Sequence, residues 1–436
     1  MALTPTLSVF RYRAYAQYWV MRQLISGARQ MTAVALGWQA YDLARLTRGV
    51  EESAFILGLI GLAQFLPVFL LSLVGGMAAD RIDRKLILIA SNLLRLGAYV
   101  GLVAVAFMPG DNGLPYMFVI AAVMGVVNAF TPAASNALYP QLVPRAMLPT
   151  AIAWNSLGYQ SAAIVGPAIG GFLYLGGAQT VYSVSAAMTT VAVIAIFFAE
   201  TPKHVPKQEV RGFRMMIDGL RYVRDNKTVL GAISLDLVVV FFGGATALLP
   251  VFARDILQVD AGGLGILRAA PAVGAVIVAF VFSMAPLRRR VGKWMFGAIV
   301  VYGLSMLTFG FSDLFWLSCL ALSIGGAADM VSVYVRQSLI QLATPDDMRG
   351  RVSSVSFIFI SASNELGEFE SGVAARFLGP VGAVILGGTV ALFTAGVWTR
   401  IFPQLWTADR MEETATEEAP GTASLASTSS TGTNTK

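Results

Sequence analysis

The sequence predicts an all-α polytopic membrane protein: twelve transmembrane helices arranged as two six-helix bundles. Three observations carry that expectation. Of 436 residues, 56% are hydrophobic and only 13% charged, with a mean hydropathy of +0.68, whereas soluble domains carry roughly a quarter charged residues. The apolar residues form continuous runs of about 20, the length that crosses a bilayer as a helix. Membrane barrels instead show alternating runs of about ten. A polar stretch in the middle of the chain divides the runs into two sets of six.

The first run, residues 16–44, follows Arg11 and Arg13 and is too long for the apolar core of a signal peptide. Five more follow at 54–79, 86–108, 114–139, 150–175 and 178–199. The second set lies at 228–253, 262–286, 294–312, 314–342, 352–377 and 380–402. In the polar stretch between them, Phe213–Tyr222 places apolar and basic residues at helical spacing. That predicts an amphipathic helix on the inner membrane surface. The end of the chain, acidic from Ala408 and then rich in Ser, Thr and Ala, has too little apolar content to order itself. The expected units are an N-terminal bundle (1–199), a cytoplasmic linker (200–227), a C-terminal bundle (228–402) and a disordered cytoplasmic tail (403–436).

Orientation follows from the basic residues. One set of loops holds Arg81, Arg84, Lys85, Arg145, the group from Lys203 to Lys227, Arg288, Arg289, Arg290, Lys293, Arg349 and Arg351. The opposite set holds little beyond Arg45, Arg48 and Arg254. Basic loops stay inside, so the first set is predicted cytoplasmic, with both termini inside the inner membrane. A single cysteine, Cys319, and a single histidine, His204, exclude a disulfide framework and a Cys/His zinc site. Basic residues between apolar runs do not make a nucleic-acid face.

The chain repeats at about two hundred residues. Gln141-Leu142 followed by Pro144 returns as Gln341-Leu342 followed by Pro345. With one inserted residue, Gly166 falls on Gly367 and Gly171 on Gly372. Repeats of six helices are parallel and related by an axis along the membrane normal, an arrangement that creates a central cavity and suits alternating access.

Between the second and third spans stands Gly75-Gly76-Met77-Ala78-Ala79-Asp80-Arg81-Ile82-Asp83-Arg84-Lys85. This resembles the signature loop of the major facilitator superfamily. The resemblance implies a packing role for Gly76, docking of Asp80 on the start of the eleventh span, and a charged latch of Arg81, Arg84 and Lys85. Asp83 stands where that family more often has glycine. Independently of the family, Asp80 suits the positive N-terminal end of a helix and can pair with Arg349 or Arg351 when the cytoplasmic side is closed. Gly166-Pro167-Ala168-Ile169-Gly170-Gly171 resembles the end of the superfamily's fifth-helix motif, associated with exporters that exchange substrate for protons. Its upstream glycines are replaced by Ala153 and Ala162. Gly170 and Gly171 permit close helix contact and Pro167 bends the helix. Gln64-Phe65-Leu66-Pro67, Thr131-Pro132-Ala133 and Pro345-Asp346-Asp347-Met348-Arg349-Gly350-Arg351 are similar to the enterobactin-exporter branch, which also includes exporters of drugs.

An ionisable side chain at mid-membrane costs roughly 2.5–3.5 kcal/mol on insertion scales, so those retained are functional candidates. The acids are Asp236 in the seventh span, Asp329 in the tenth, and Glu365, Glu368 and Glu370 in the eleventh. The bases are Arg22 and Arg29 in the first, Arg95 in the third, Arg268 in the eighth and Arg336 in the tenth. Arg95 is read as structural, pairing with a helix-end carbonyl. Arg22 and Arg29 share a helix face, as do Asp329 and Arg336. Glu365 and Glu368 also share one, with Glu370 turned by about 140°. Two close carboxylates in a low-dielectric wall cannot both ionise cheaply, so one of them can carry a coupled proton. The alternative is a network of ion pairs with Arg22, Arg29, Arg268 or Arg336 that only fixes helix register.

The sequence therefore predicts a secondary-active, proton-driven exporter of a small amphipathic molecule, siderophore-like or drug-like. It needs no cofactor or metal, works as a monomer, and has the substrate and the bilayer as partners. A lipid or lysolipid flippase would use the same bundles with a lateral opening. A membrane-embedded enzyme would need a nucleophile, metal or P-loop constellation, and a sensor would need a folded output domain; neither is present in the sequence.

Overall fold

The computed structural model describes residues 8–202, 212–285, 287 and 289–407. Lys203, His204, Arg288 and the tail expected from Ala408 lie outside them. Among the described residues there is no strand. The first half holds α1 (Arg13–Ala44), α2 (Val50–Arg81), α3 (Arg84–Ala106), α4 (Leu114–Leu138), α5 (Leu148–Tyr174) and α6 (Ala178–Phe197). The amphipathic α7 (Gly212–Asp225) follows. The second half begins with α8 (Lys227–Phe242), continues through α9 (Leu249–Val251) and a π-helical turn at Phe252–Ile256, and then runs through α10 (Ala261–Met284), α11 (Val291–Gly310) and α12 (Phe315–Leu342). It ends with α13 (Asp346–Ile401) and the short α14 (Pro403–Thr407).

α13 is two crossings with almost no loop between them. Gly379 has φ 75° and ψ 163°, a backbone conformation that glycine adopts without a Cβ penalty, and Pro380 opens the last span. Nine described segments are long and apolar enough to cross a membrane, the stretch Ala362–Ile401 among them. α1, α5 and the start of α13 are more polar, because they carry arginines, amides and serines among their apolar residues. Counted with them, and with α13 taken as two, the helices of the described residues fit the twelve crossings expected.

Two features depart from the sequence reading. The seventh span, expected as one run over 228–253, breaks after Phe242 at Gly243–Gly244 and resumes through a 3-10 turn, Ala245–Leu248. Two glycines in a row, with Pro250 shortly after, remove the propensity and one amide hydrogen bond that a continuous helix needs. Residues 403–407, placed with the tail, instead form α14. Leu405 is fully buried against the second half, and the Trp406 ring receives Lys293 Nζ at 6.0 Å. The amphipathic α7 lies beside α8 and α13 with Ile217 and Leu220 exposed. Val223 is buried there, and the Tyr222 hydroxyl donates to the Ala343 carbonyl at 2.6 Å.

Basic loops lie on one face of the molecule, here called the basic face. Near it each half closes a core of its own, Tyr15, Tyr18, Leu88 and Ile196 in the first and Val229, Phe296, Leu339 and Val352 in the second. Towards the opposite face a single apolar cluster joins both halves, including Val34, Tyr41, Ile60, Leu248, Phe252 and Leu264.

Candidate functional site

The halves meet chiefly where α2 packs on α13 and α5 packs on α10. Both seams are made by glycine. A methyl built on Gly372 would lie 2.7 Å from the Gly58 Cα, and one on Gly171 3.0 Å from the Gly265 Cα, closer than side chains tolerate. Gly171 and Gly372 are the pair matched by the sequence repeat, so the repeat has a direct packing counterpart. The other pair presses on the first helix of its own half, Gly166 on Gln30 of α1 and Gly367 on Val240 of α8. Gly170 lies against Met31 of α1, and the Pro167 carbonyl against Gly265. The fifth-helix motif thus builds one wall of a seam.

The predicted mid-span charges divide into two groups. Arg29, halfway along α1, is exposed, and Arg268 of α10 and Glu365 and Glu368 of α13 are partly so. Glu365 lies in electrostatic range of Glu368, Arg29 and Arg268, and Glu368 of Arg268. A methyl on Gly61 of α2 would meet Glu368 Oε2 at 3.4 Å, which puts this carboxylate on the seam itself. Glu370 lies away from the group, with no charged neighbour among the described residues. The second group is inside the second half. Arg336 Nη1 is ion-paired with Asp236 Oδ1, the two side chains being 6% and 5% exposed, and Asp329 is in range of both. Sharing a face with Asp329 did not make that residue the ion-pair partner of Arg336.

In the first half the mid-span charges are all basic. Arg22 Nη1 donates to Ser135 Oγ of α4 at 2.9 Å and to the Tyr18 hydroxyl at 3.1 Å. Arg95 is buried, and its Nη2 donates to Asn128 Oδ1 at 3.3 Å, a side-chain partner in place of the carbonyl expected. All the mid-span acids belong to the second half.

At the basic face the signature loop ties together the first half. Asp83 caps α3, its Oδ1 accepting from the Lys85 amide at 2.8 Å, which accounts for an acid at that position. Buried Arg84 donates to the Ala79 and Ala137 carbonyls, each at 3.3 Å, and Lys85 Nζ to the Ala199 carbonyl at 2.7 Å. These lie at the C-terminal ends of α2, α4 and α6, where cations are favoured. Arg81 is exposed and Asp80 partly so. The closely packed glycine is Gly75, set against Ala129 and Phe130, whereas a methyl on Gly76 would meet nothing within 4 Å. Across the face, Arg351 pairs with Asp218 of α7 at 3.5 Å and Arg349 Nε donates to the Gln341 carbonyl at 3.3 Å.

At the opposite face a polar clasp joins α1 to the π-helical turn of the seventh span. Asp42 pairs with Arg254, Arg45 with Asp255 at 3.7 Å, and the Tyr41 hydroxyl donates to Asp255. The Arg254 guanidinium also lies 5.9 Å from the Tyr41 ring centroid. In the sequence alone Arg45 and Arg254 stand only as loop charges. The missed signal is that Tyr41-Asp42 and Arg254-Asp255 end the first helices of the two repeats with complementary charges. Such half-exposed pairs contribute roughly 0.2–1 kcal/mol each. Arg254→Asp should therefore raise the population open at this face about two- to fivefold, and adding Asp42→Arg should restore it. Distance distributions between spin labels at positions 46 and 257 would show both effects.

A protein-family model described as transmembrane secretion effector matches residues 4–429. The enterobactin exporter EntS of Shigella boydii serotype 4 (strain Sb227) is 26% identical over 369 residues, 84% of each chain. Among solved structures, the POT family transporter PepTSo superimposes with a TM-score of 0.72 at 11% identity, covering 91% of this chain and 99% of that one. A D-xylose–proton symporter gives 0.67 at 11% identity, covering 90% and 99%. The structural likenesses establish the fold, and the family model, matched over nearly the whole length, establishes descent. The chain belongs to the transmembrane secretion effector family of the major facilitator superfamily, and is a transporter.

Proposed function

We propose that this transporter is a secondary-active exporter of a small amphipathic molecule, working by alternating access and driven by proton entry. The observation that carries the reading is the group Arg29, Arg268, Glu365 and Glu368, drawn from both halves and set beside a glycine seam. A proton on either glutamate changes the charge balance across the cleft, so protonation and the tilt of the halves are thermodynamically linked. With the basic face in the cytoplasm and both termini inside the inner membrane, the arrangement described corresponds to the inward-facing state. The clasp and shared apolar cluster then close the outer side. Relatives named as exporters of enterobactin support outward movement of a siderophore-like or drug-like molecule.

Transport in proteoliposomes with an imposed pH gradient tests the reading, using catecholate siderophores and cationic drugs as substrates. Substrate should accumulate on the acidic side, and a protonophore should abolish the accumulation. Accumulation that ignores the protonophore would refute proton coupling. Movement of labelled lysolipid alone would replace export with lipid flipping.

A further inference from the structure

On the basic face of the second half, α14 lies across the start of α11. A methyl on Gly292 would run into the Leu405 carbonyl, so the two backbones touch where only glycine fits. Leu405 is buried, and the Trp406 ring stands edge-on to Phe296 with centroids 5.8 Å apart. The ring stays 39% exposed, with Lys293 Nζ 6.0 Å from its centroid. Trp294, the next residue of α11, is 54% exposed. Tryptophans collect at the headgroup level of a bilayer, so this pair marks where the lipid phosphates run.

The charge at this level has one sign. No acid occurs in residues 261–312 or 371–408. Arg289, Lys293 and Arg400 are exposed, and their side chains make no ion pair among the described residues. Other cations of the basic face are already satisfied: Arg84 and Lys85 by helix-end carbonyls, Arg351 by Asp218. The start of α8 adjoins the patch, since Gly231 packs on Phe402 and Leu405. There Lys227 is exposed, and Asp225 pairs with Arg224 at 3.3 Å. Cations gathered beside tryptophan at the membrane surface, with no acid of their own, call for an anion that also carries an apolar chain.

We propose that this patch is an interaction surface for acidic phospholipid of the adjoining leaflet. Lys293 and Arg400 meet the phosphates, and Trp294 and Trp406 meet the first acyl carbons. The surface belongs to the rim of one half and not to the substrate path. It therefore stands or falls independently of the export reading.

The test titrates phosphatidylglycerol or phosphatidylcholine into the full-length protein in neutral detergent. A lipid that binds only the folded state raises the melting temperature, so phosphatidylglycerol should raise it saturably and phosphatidylcholine should not. Lys293→Gln and Arg400→Gln should each weaken the phosphatidylglycerol midpoint about fivefold, the effect of one cation near an anionic surface. Arg13→Gln, which removes an exposed cation from the basic face of the first half, should leave the midpoint unchanged. Position is read from quenching in phosphatidylcholine nanodiscs, which also decides the matter on wild-type protein if a variant does not fold. Brominated phosphatidylglycerol should quench tryptophan emission more than an equal dose of brominated phosphatidylcholine, and Trp294→Phe with Trp406→Phe should remove the excess. Equal quenching by the two lipids overturns the site, as does a midpoint that weakens as much in Arg13→Gln as in Lys293→Gln. A preference that emerges only after truncation at Thr407 also overturns it, assigning the patch to the acidic segment of the chain from Asp409 to Glu418.

Discussion

Proteoliposomes carrying Glu365→Gln or Glu368→Gln are expected to exchange substrate downhill at near wild-type rates yet to build no gradient. A glutamine keeps the shape and leaves the glycine seams intact, so the halves still rock. It cannot take up a proton on one side and release it on the other, so the link between proton entry and export is cut. A purely structural network predicts a different outcome. Arg29 and Arg268 would each lose a compensating charge, folding would suffer, and both activities would fall together. Glu370→Gln, with no charged neighbour among the described residues, should retain both. Measuring counterflow and gradient-driven uptake on the same preparations separates the cases. Retained accumulation in both single variants would remove the coupling role from this pair.

The largest stability loss is expected for Arg336→Met. The substitution keeps much of the apolar stem but leaves Asp236, 5% exposed, without its cation and with Asp329 nearby. Breaking a buried ion pair from one side costs about 3–5 kcal/mol, a large share of the roughly 5–15 kcal/mol that holds a domain together. Adding Asp236→Leu should recover most of the loss, because replacing both partners with apolar groups is often neutral. Thermal unfolding in detergent across the four members of this double-mutant cycle measures it. A loss below about 1 kcal/mol for the single variant would mean that water screens the pair.

The crossings were legible because each needs an apolar run of bilayer length, and composition alone supplies that. Repeat arithmetic was legible too: Gly171 and Gly372, matched by spacing, lie at the two equivalent seams. Partner choice was not. Helical periodicity says which residues share a face, but a seven-residue spacing corresponds to roughly 10 Å of rise. Arg336 therefore reaches Asp236 on another helix rather than Asp329 on its own. The clasp at Asp42 and Arg254 was hidden for a related reason: charges at span ends look like ordinary loop residues until the halves are docked. The break at Gly243–Gly244 was masked by the apolar character of its flanks.

The division of mid-span charge, arginines alone in one half and every acid in the other, has an electrical consequence. The halves stand side by side, so this fixed separation lies along the plane of the bilayer. The membrane potential acts along the normal, where moving one elementary charge through 100 mV involves about 2.3 kcal/mol. Rocking that keeps the fixed charges near the same depth therefore does almost no electrical work. Any current recorded during turnover would report the mobile species alone, and its size per substrate would count the charge carried in each cycle.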